Sequence, residues 1–155
     1  MAALLEEFQS ITSTLNERGI DYAVCGGWAV TIYGYVRNTE DIDLLILVDD
    51  LERTKAIVRE LGFDIEGLTL NFDGGKTQIR RLSKIDREKK VLITLDLILV
   101  TDLYASPWKT RRVVSWQGGE YRIVSKEGLL EMKRIADREK DRLDIKHLTS
   151  EDEER

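Results

Sequence analysis

Two apolar runs constrain the fold of this chain more than any other feature of its sequence. "IDLLILV" spans residues 42–48 and "VLITLDLILV" spans residues 91–100. A nearly continuous apolar run is typical of a strand that is covered on both faces, because each face must be shielded from water. The first run therefore predicts a buried strand, and the second predicts another strand of the same sheet.

The segments around these runs predict a mixed β-sheet flanked by helices, which is an α/β or α+β fold. Apolar residues at helical spacing predict an N-terminal helix over about residues 2–18, which Gly19 ends. A short strand and a short helix precede the first run, and a helix follows it at about residues 50–61. Two further strands form a hairpin that turns at Gly118-Gly119.

A C-terminal helix is predicted over about residues 125–148, with Ser125 as its N-cap. Its predicted inner stripe consists of Leu129, Met132, Ala136 and Leu143. No proline-rich linker or repeat divides the 155 residues. The sequence therefore predicts a single domain over residues 1–155, with a core at about residues 20–124.

Composition excludes some function classes. A net charge of −5 argues against a general nucleic-acid or membrane-surface binder, although a local basic patch would be enough to hold an RNA end. Cys25 is the only cysteine, so the chain has no internal disulfide, and we expect this thiol in the core. No signal peptide or membrane-spanning run is recognisable, which predicts a cytoplasmic protein without a membrane partner.

Two carboxylates stand at the start of the first run, Asp41 just before it and Asp43 as its second residue. Side chains alternate along a strand, so Asp41 and Asp43 point to one face and Ile42 to the other. Such a pair repels itself unless a cation lies between the two groups. Carboxylate oxygens favour Mg²⁺ or Mn²⁺. The alternative is that Asp41 is only a cap or turn residue at the start of the strand.

Asp96 interrupts the second run and is the sharper anomaly. An unpaired ionised carboxylate in an apolar strand would cost several kcal/mol, so a partner is required. We expect Asp96 to lie on a strand beside Asp41 and Asp43, where all three hold the same ions. The alternative partner is Arg80 or Arg81 on a neighbouring strand.

Gly26 and Gly27 lie between a predicted strand and a predicted helix. Glycine lets the backbone approach a ligand, and a helix start offers free N–H groups, so the pair is a candidate phosphate site. A tight turn explains it about as well. Arg37 and Thr39 precede the acidic pair, and Arg37 is either a phosphate contact, a solvated cation or a partner of Glu40.

With these residues in place, the block "GGWAVTIYGYVRNTEDIDL" together with Asp96 resembles the nucleotidyltransferase superfamily, whose palm is like that of DNA polymerase beta. The resemblance covers about residues 22–148. It is closest to the small antibiotic nucleotidyltransferases and to the toxin-type relatives of bacterial defence systems. The segment "MKRIADREKDRLDIKHL" also resembles these relatives, through the charged positions Lys133, Arg138, Lys140, Asp141 and Asp144.

The resemblance implies a bacterial enzyme that transfers a nucleoside monophosphate from a nucleoside triphosphate, such as ATP, to an acceptor hydroxyl. It implies two Mg²⁺ or Mn²⁺ ions held by Asp41, Asp43 and Asp96, which are the expected catalytic residues. Gly26, Gly27, Arg37, Thr39, Lys133 and Lys140 are the expected nucleotide-binding residues. For the charged helix, the alternative is a solvated face with pairs such as Lys140–Asp144.

Two departures from the family pattern concern the site. Trp28 stands where many members have serine, and Thr31 stands where the antibiotic-modifying branch often has an acid. No second domain is recognisable, so the acceptor site is either within this domain or shared with a homodimer mate or partner subunit. The candidate acceptors are a small molecule, a tRNA or a protein, and a module that has lost the chemistry is a further alternative.

The remaining aromatic and histidine residues carry no predicted chemistry. His147, the only histidine, is expected at the surface near a helix end. Trp108, Trp116 and Tyr121 are expected to pack the hairpin or a dimer contact, with stacking on a base as the alternative.

Overall fold

The computed structural model describes residues 2–153 and contains six α-helices and seven strands in that range. In chain order these elements are α1 (Ala2–Glu17), β1 (Ala23–Cys25), α2 (Gly26–Ile32), β2 (Asp41–Ile46), α3 (Leu51–Glu60), β3 (Ile65–Phe72), β4 (Thr77–Asp86), β5 (Val91–Leu99), α4 (Ala105–Lys109), β6 (Arg112–Trp116), β7 (Gly119–Ile123), α5 (Lys126–Ala136) and α6 (Glu139–Glu153).

All seven strands form one mixed sheet in the order β3-β4-β5-β2-β1-β7-β6. The pairs β2–β5 and β1–β7 are parallel, and the other neighbours are antiparallel. The two apolar runs thus become neighbouring strands near the middle of the sheet. The predicted fold class, a mixed sheet with helices, is confirmed.

The core explains why the apolar runs are long. Ile42, Leu44, Leu45 and Ile46 of β2 are fully buried, so this strand is covered on both faces as its sequence predicts. At the β7 side of the sheet, the ring of Phe8 stacks on Trp28 at 4.6 Å and on Tyr121 at 5.1 Å between ring centroids. This stack joins α1, α2 and β7, and it confirms the packing role that was predicted for Tyr121.

Two elements are missing from the prediction. The edge strand β3 contains Gly67, and its register against β4 shifts between Glu66 and Thr69. Leu68, Leu70 and Phe72 alternate with polar residues, as in a strand, although the side chains of β3 are mostly exposed. The short helix α4 has only five residues, which is too few for a helical period to show.

The predicted C-terminal helix over 125–148 is wrong in one respect, since two helices replace it. Ser125 caps α5 as predicted, because its Oγ accepts a hydrogen bond from the N–H of Gly128 at 3.0 Å. The helix ends at Asp137, which adopts a left-handed conformation with φ of 47°. Because the chain changes direction at this break, α6 does not continue the inner face of α5, and Leu143 is 51% exposed.

Ala136 is also exposed, so the predicted inner stripe fails beyond Met132. In its place, α6 directs Asp141, Asp144 and Leu148 inwards. Two carboxylates therefore enter the interior where an apolar stripe was expected. No helix in the described range has the length and apolar character needed to cross a bilayer.

Candidate active site

The structure brings the three predicted carboxylates together on one face of the sheet. Asp43 of β2 and Asp96 of β5 are direct partners in the parallel register, and Asp41 stands opposite Thr94, two residues along the strands. Residues that stand opposite each other on paired strands share a face. The expectation that Asp96 lies beside Asp41 and Asp43 therefore agrees with the strand register.

Asp41 and Asp43 lack an ion-pair partner within residues 2–153, and nearby cations offset the rise in their pKa values only in part. Neither carboxylate takes part in a hydrogen bond or ion pair with any residue of the described range. Burial, followed by the charges of Asp96 and Asp41, raises the pKa of Asp43 from 3.8 to about 7. Burial and the charge of Asp96 also raise the pKa of Asp41. Ionised carboxylates in such a place favour a bound cation.

Asp96 differs from the other two because it is paired. Arg81 of β4 donates from Nε to Oδ1 at 2.8 Å and from Nη2 to Oδ2 at 3.0 Å, which is a bidentate ion pair. Asp96 is only 6% exposed, so this guanidinium offsets the cost of burying its charge. Both sequence interpretations of Asp96 hold at once: it lies beside the acidic pair, and Arg81 rather than Arg80 is its partner.

The glycine pair has a packing reason that sequence reasoning does not reveal. Gly26 has φ of 62°, and a Cβ there would lie 2.8 Å from Cγ of Asp43. A Cβ on Gly27 would lie 2.9 Å from Cγ2 of Thr39 and 3.4 Å from Nη2 of Arg37. The two glycines thus let the carboxylate and the loop before β2 approach the start of α2 closely. Thr39 is placed against Gly27, behind the wall of the cavity.

A buried ionic network stands across from the carboxylates. Lys133 Nζ lies 3.1 Å from Asp141 Oδ1 and 3.1 Å from Asp144 Oδ2. Arg37 reaches the same Asp144 with Nε at 2.9 Å, and Arg138 donates from Nε to Asp141 at 2.7 Å. Both acids are almost fully buried. Arg37 is therefore neither a solvated loop cation nor a partner of Glu40.

This network changes the interpretation of the charged helix. Asp144 is paired with Arg37 and Lys133, so the alternative pair Lys140–Asp144 is wrong. Among the cations of the cavity wall within residues 2–153, Lys140 alone has neither a hydrogen bond nor an ion pair. Its charge acts against the rise in the pKa values of Asp41 and Asp43, so it lies near enough to interact with them electrostatically.

These groups line a cavity of about 600 Å³ between the sheet and helices α5 and α6. One half carries the glycine pair, the carboxylates and the cations. The other half is apolar: Leu70, Ile79 and Ile98 stand in one row across β3, β4 and β5, and Met132 and Ile135 face them from α5. A volume of this order is typical of small-molecule sites.

The donor chemistry of the site fits a divalent cation, since Asp41 and Asp43 offer unpaired oxygen ligands on one face of the sheet. The binding of two ions stays a prediction. Within residues 2–153, no three acidic, histidine or cysteine side chains are arranged so that they could hold one metal ion together. Asp96 is engaged by Arg81.

The remaining predicted residues lie outside this chemistry. Cys25 is buried and free, as predicted, and burial raises the pKa of its thiol well above the ordinary value. His147 is partly buried and stacks on Tyr35 at 4.0 Å between centroids. Trp116 meets Tyr121 edge to face, and Trp108 packs under the guanidinium of Arg111, so these tryptophans also pack against protein side chains.

Comparison with known proteins identifies the fold. No protein-family model and no curated protein sequence matches the chain. Among solved structures, the lincosamide antibiotic adenylyltransferase LnuA, with lincomycin bound, is 16% identical, with a TM-score of 0.61 over 94% of this chain and 96% of that one. ANT(2″)-Ia, in complex with adenylyl-2″-tobramycin, is 19% identical, with a TM-score of 0.62 over 96% of this chain and 87% of that one.

A third match is an antigenic nucleotidyltransferase-like protein from Paracoccidioides brasiliensis, which is 21% identical, with a TM-score of 0.58 over 94% of this chain and 75% of that one. The chain therefore has the nucleotidyltransferase fold, which confirms the resemblance read from its motifs. At identities of 16–21% the likeness concerns the fold, so the reaction must be argued from the residues of the site.

Three features of the site escape sequence reasoning. Strand alternation puts Arg80 and Arg81 on opposite faces of β4, but the register with β5, which the sequence does not give, decides that Arg81 meets Asp96. Asp141 and Asp144 are three residues apart on a helix and so share a side of it, but charged helices are common and the spacing alone does not predict burial. The apolar half of the cavity depends on the unpredicted strand β3.

Proposed function

We propose that this protein is a metal-dependent nucleotidyltransferase. It transfers the nucleoside monophosphate of a nucleoside triphosphate to a hydroxyl group. The hydroxyl oxygen bonds to the α-phosphorus, the bond from that phosphorus to the bridging oxygen of the β-phosphate breaks, and pyrophosphate leaves. The hydroxyl proton passes to Asp96, which we propose as its acceptor.

One observation carries the proposal: Asp43 and Asp96 stand in register on adjacent strands, with Asp41 on the same face, beside a glycine-lined turn. A carboxylate whose pKa is about 7 without a cation is poorly stabilised by the protein alone. The fold adds weight to it, because matching solved structures include nucleotidyltransferases. An arrangement this costly is hard to explain as part of a core.

A divalent cation, Mg²⁺ or Mn²⁺, would be held by Asp41 and Asp43 and would stabilise negative charge on the phosphate oxygens. The protein contributes position and charge around it. Gly26 keeps the Asp43 carboxylate close to the start of α2, and Arg81 holds the Asp96 carboxylate in position through a bidentate ion pair. Fixed charges and donors of this kind act without reorganisation during the reaction.

The triphosphate is proposed to lie on the polar half of the cavity, along Gly26 and Gly27. Lys140 is the best placed of the predicted cations to bind it, because it has no partner among residues 2–153. Lys133 and Arg37 are committed to Asp144, so their part is to hold α5 and α6 against the site. Thr39 supports the turn through its contact with Gly27.

The acceptor is proposed to be a small molecule that contacts the apolar half of the cavity. Leu70, Ile79 and Ile98 form a row across the strands. On β4 and β5 this row lies two residues from Arg81 and Asp96, on the same face of the sheet. Outside the three carboxylates, the acids on the cavity wall are Asp73 and the fully paired Asp141. This wall therefore suits an acceptor with an apolar part better than a molecule with many positive charges.

The proposal is tested with α-labelled nucleoside triphosphates, Mg²⁺ and three acceptor pools: small hydroxyl compounds that include lincomycin and tobramycin, total tRNA, and cell protein. We expect label in the small-molecule pool, released pyrophosphate, and a loss of at least ~10³-fold with Asp43→Asn, since groups that act only in the transition state carry effects of this size. Asp49→Asn, an exposed acid beyond the end of β2, is the matched control.

Label in tRNA or protein would keep the reaction and move its acceptor to a macromolecule. Equal labelling by wild type and Asp43→Asn would contradict the assigned site. No labelling in any pool, with no binding of triphosphate, would favour a module that has kept the fold without the chemistry.

A further inference from the structure

The position of Arg81 is fixed by the sheet. Arg81 stands opposite Asp96 in the antiparallel register of β4 and β5, and Asp96 stands opposite Asp43 in the parallel register of β5 and β2. The three side chains therefore form one row across three strands. Both oxygens of Asp96 accept hydrogen bonds from the guanidinium, at 2.8 Å and 3.0 Å.

The neighbouring arginine shows that this placement is specific. Arg80 faces the other side of β4, where its Nη1 donates to Oδ1 of Asn71 at 3.2 Å and its Nη2 to Oε1 of Gln78 at 3.4 Å. Arg81, by contrast, has Asp96 as its partner and lies on the wall of the cavity. The two adjacent arginines thus differ chiefly in the face of the sheet on which their side chains lie.

The charge of this row indicates how many divalent cations the carboxylates can hold. Arg81 neutralises the charge of Asp96, so Asp41 and Asp43 are left as the carboxylates without an ion pair, and a single divalent cation matches the formal charge of two such groups. A second ion at Asp96 would have to displace a bidentate guanidinium from a carboxylate that is only 6% exposed. Within the described residues, no three potential ligands converge on a metal position.

We infer that the guanidinium of Arg81 takes the place of one of the two divalent ions, so that Asp41 and Asp43 hold a single ion beside an Arg81–Asp96 pair. This inference rests on the proposed function, because it concerns the same cation site. Arg81 is in this account a positioning residue: it fixes and neutralises Asp96, and its side chain, 43% exposed, reaches the cavity where the phosphates are proposed to lie.

A purely structural ion pair is the competing explanation, and the number of bound ions separates the two. The measurement is Mn²⁺ binding, followed by electron paramagnetic resonance of the free ion, to the whole chain saturated with adenosine 5′-(α,β-methylene)triphosphate. We compare wild type, Arg81→Gln, Arg81→Lys and the matched control Arg80→Gln.

We expect one bound Mn²⁺ per chain for wild type and Arg80→Gln, and two for Arg81→Gln. Arg81→Lys keeps a single positive charge beside Asp96, so we expect one ion there too. Two ions in wild type would overturn the inference and leave the proposed function standing, even if Arg81→Gln failed to fold. One ion in folded Arg81→Gln would also overturn it, in favour of a structural pair.

Asp43→Asn distinguishes the failure of the inference from the failure of the proposed function. Loss of the bound ion in this variant would place the single ion at the carboxylate pair, as both proposals require. If wild type saturated with the nucleotide analogue held no Mn²⁺, both proposals would fall.

Discussion

Two pairs of acidic residues lie in or next to the cavity, and they differ in whether a cation of the protein pairs with them. Asp41 and Asp43 on β2 have no ion-pair partner in the described range, whereas Asp141 and Asp144 on α6 are surrounded by Arg37, Lys133 and Arg138. Asp141 and Asp144 are almost fully buried, whereas Asp41 and Asp43 are only partly buried, so the less buried pair is the one without a partner. The difference lies in whether the protein itself supplies the countercharge.

The pKa values of Asp43 and Asp141 express this difference. Burial raises the pKa of Asp43 to about 7, and the nearby charges of Asp96 and Asp41 add to it. Burial also acts to raise the pKa of Asp141, but the hydrogen bond from Arg138 and the charge of Lys133 outweigh it and hold that pKa below its ordinary value. The α6 pair is satisfied within the protein and the β2 pair is not, which supports the proposal that the β2 pair binds a cation.

The largest change in the free energy of unfolding is expected when one of the paired α6 acids is removed. Asp144→Ala leaves Lys133 and Arg37 without their shared carboxylate, and removing one partner of a buried ion pair costs ~3–5 kcal/mol. Urea unfolding measures this loss. Glu60→Ala, which breaks the exposed pair with Arg18, is the control and should cost less than ~1 kcal/mol. Similar small losses for both variants would mean that the network is not structural.

Substitution in the unpaired β2 carboxylates is expected to stabilise the protein instead. The pKa of Asp43 in the folded protein, about 7, exceeds its ordinary value of 3.8, so ionisation destabilises the fold as pH rises between these values. Asp43→Asn removes this cost and should raise the free energy of unfolding by ~1–3 kcal/mol at pH 8 in the presence of a chelator. The gain should vanish near pH 4.

Unfolding curves of wild type and Asp43→Asn at pH 4, 6 and 8 test this sign. Added Mg²⁺ should stabilise wild type more than the variant, because a ligand stabilises the state that binds it. A variant that is less stable than wild type at pH 8 without metal would show that the carboxylate is satisfied by the protein, as on α6.

The smallest effect is expected for Lys140, which forms an ion pair with neither acidic pair. Lys140→Ala should raise the KM for the triphosphate ~10-fold, which is ~1.4 kcal/mol, and leave the free energy of unfolding nearly unchanged. Lys146→Ala, an exposed lysine on the same helix, is the matched control and should leave KM unchanged. A loss of stability in Lys140→Ala without a change in KM would place Lys140 with the structural network.

Much of this arrangement is readable from the sequence because a charge in an apolar strand demands an explanation. Asp96 within "VLITLDLILV" and the spacing of Asp41 and Asp43 were enough to predict three carboxylates on one face. Strand alternation and burial are local properties, so the pattern carries them. The N-cap at Ser125 and the hairpin at Gly118-Gly119 are predictable for the same reason.

The rest depends on events that the sequence pattern does not encode. The left-handed conformation of Asp137 breaks the predicted helix and turns Asp141 and Asp144 inwards. Aspartate tolerates this conformation better than most residues, but it adopts it only where the surroundings favour it. The pairing of Lys133 with these acids, rather than with a phosphate, follows from that single turn.

Crystals grown with Mn²⁺ and adenosine 5′-(α,β-methylene)triphosphate test the central claim most directly, through the anomalous signal of manganese. The account predicts a peak in contact with carboxylate oxygens of Asp41 and Asp43 and with the phosphates of the nucleotide. A bound nucleotide with no ion at Asp43, or an ion held only by the α6 acids, would contradict it.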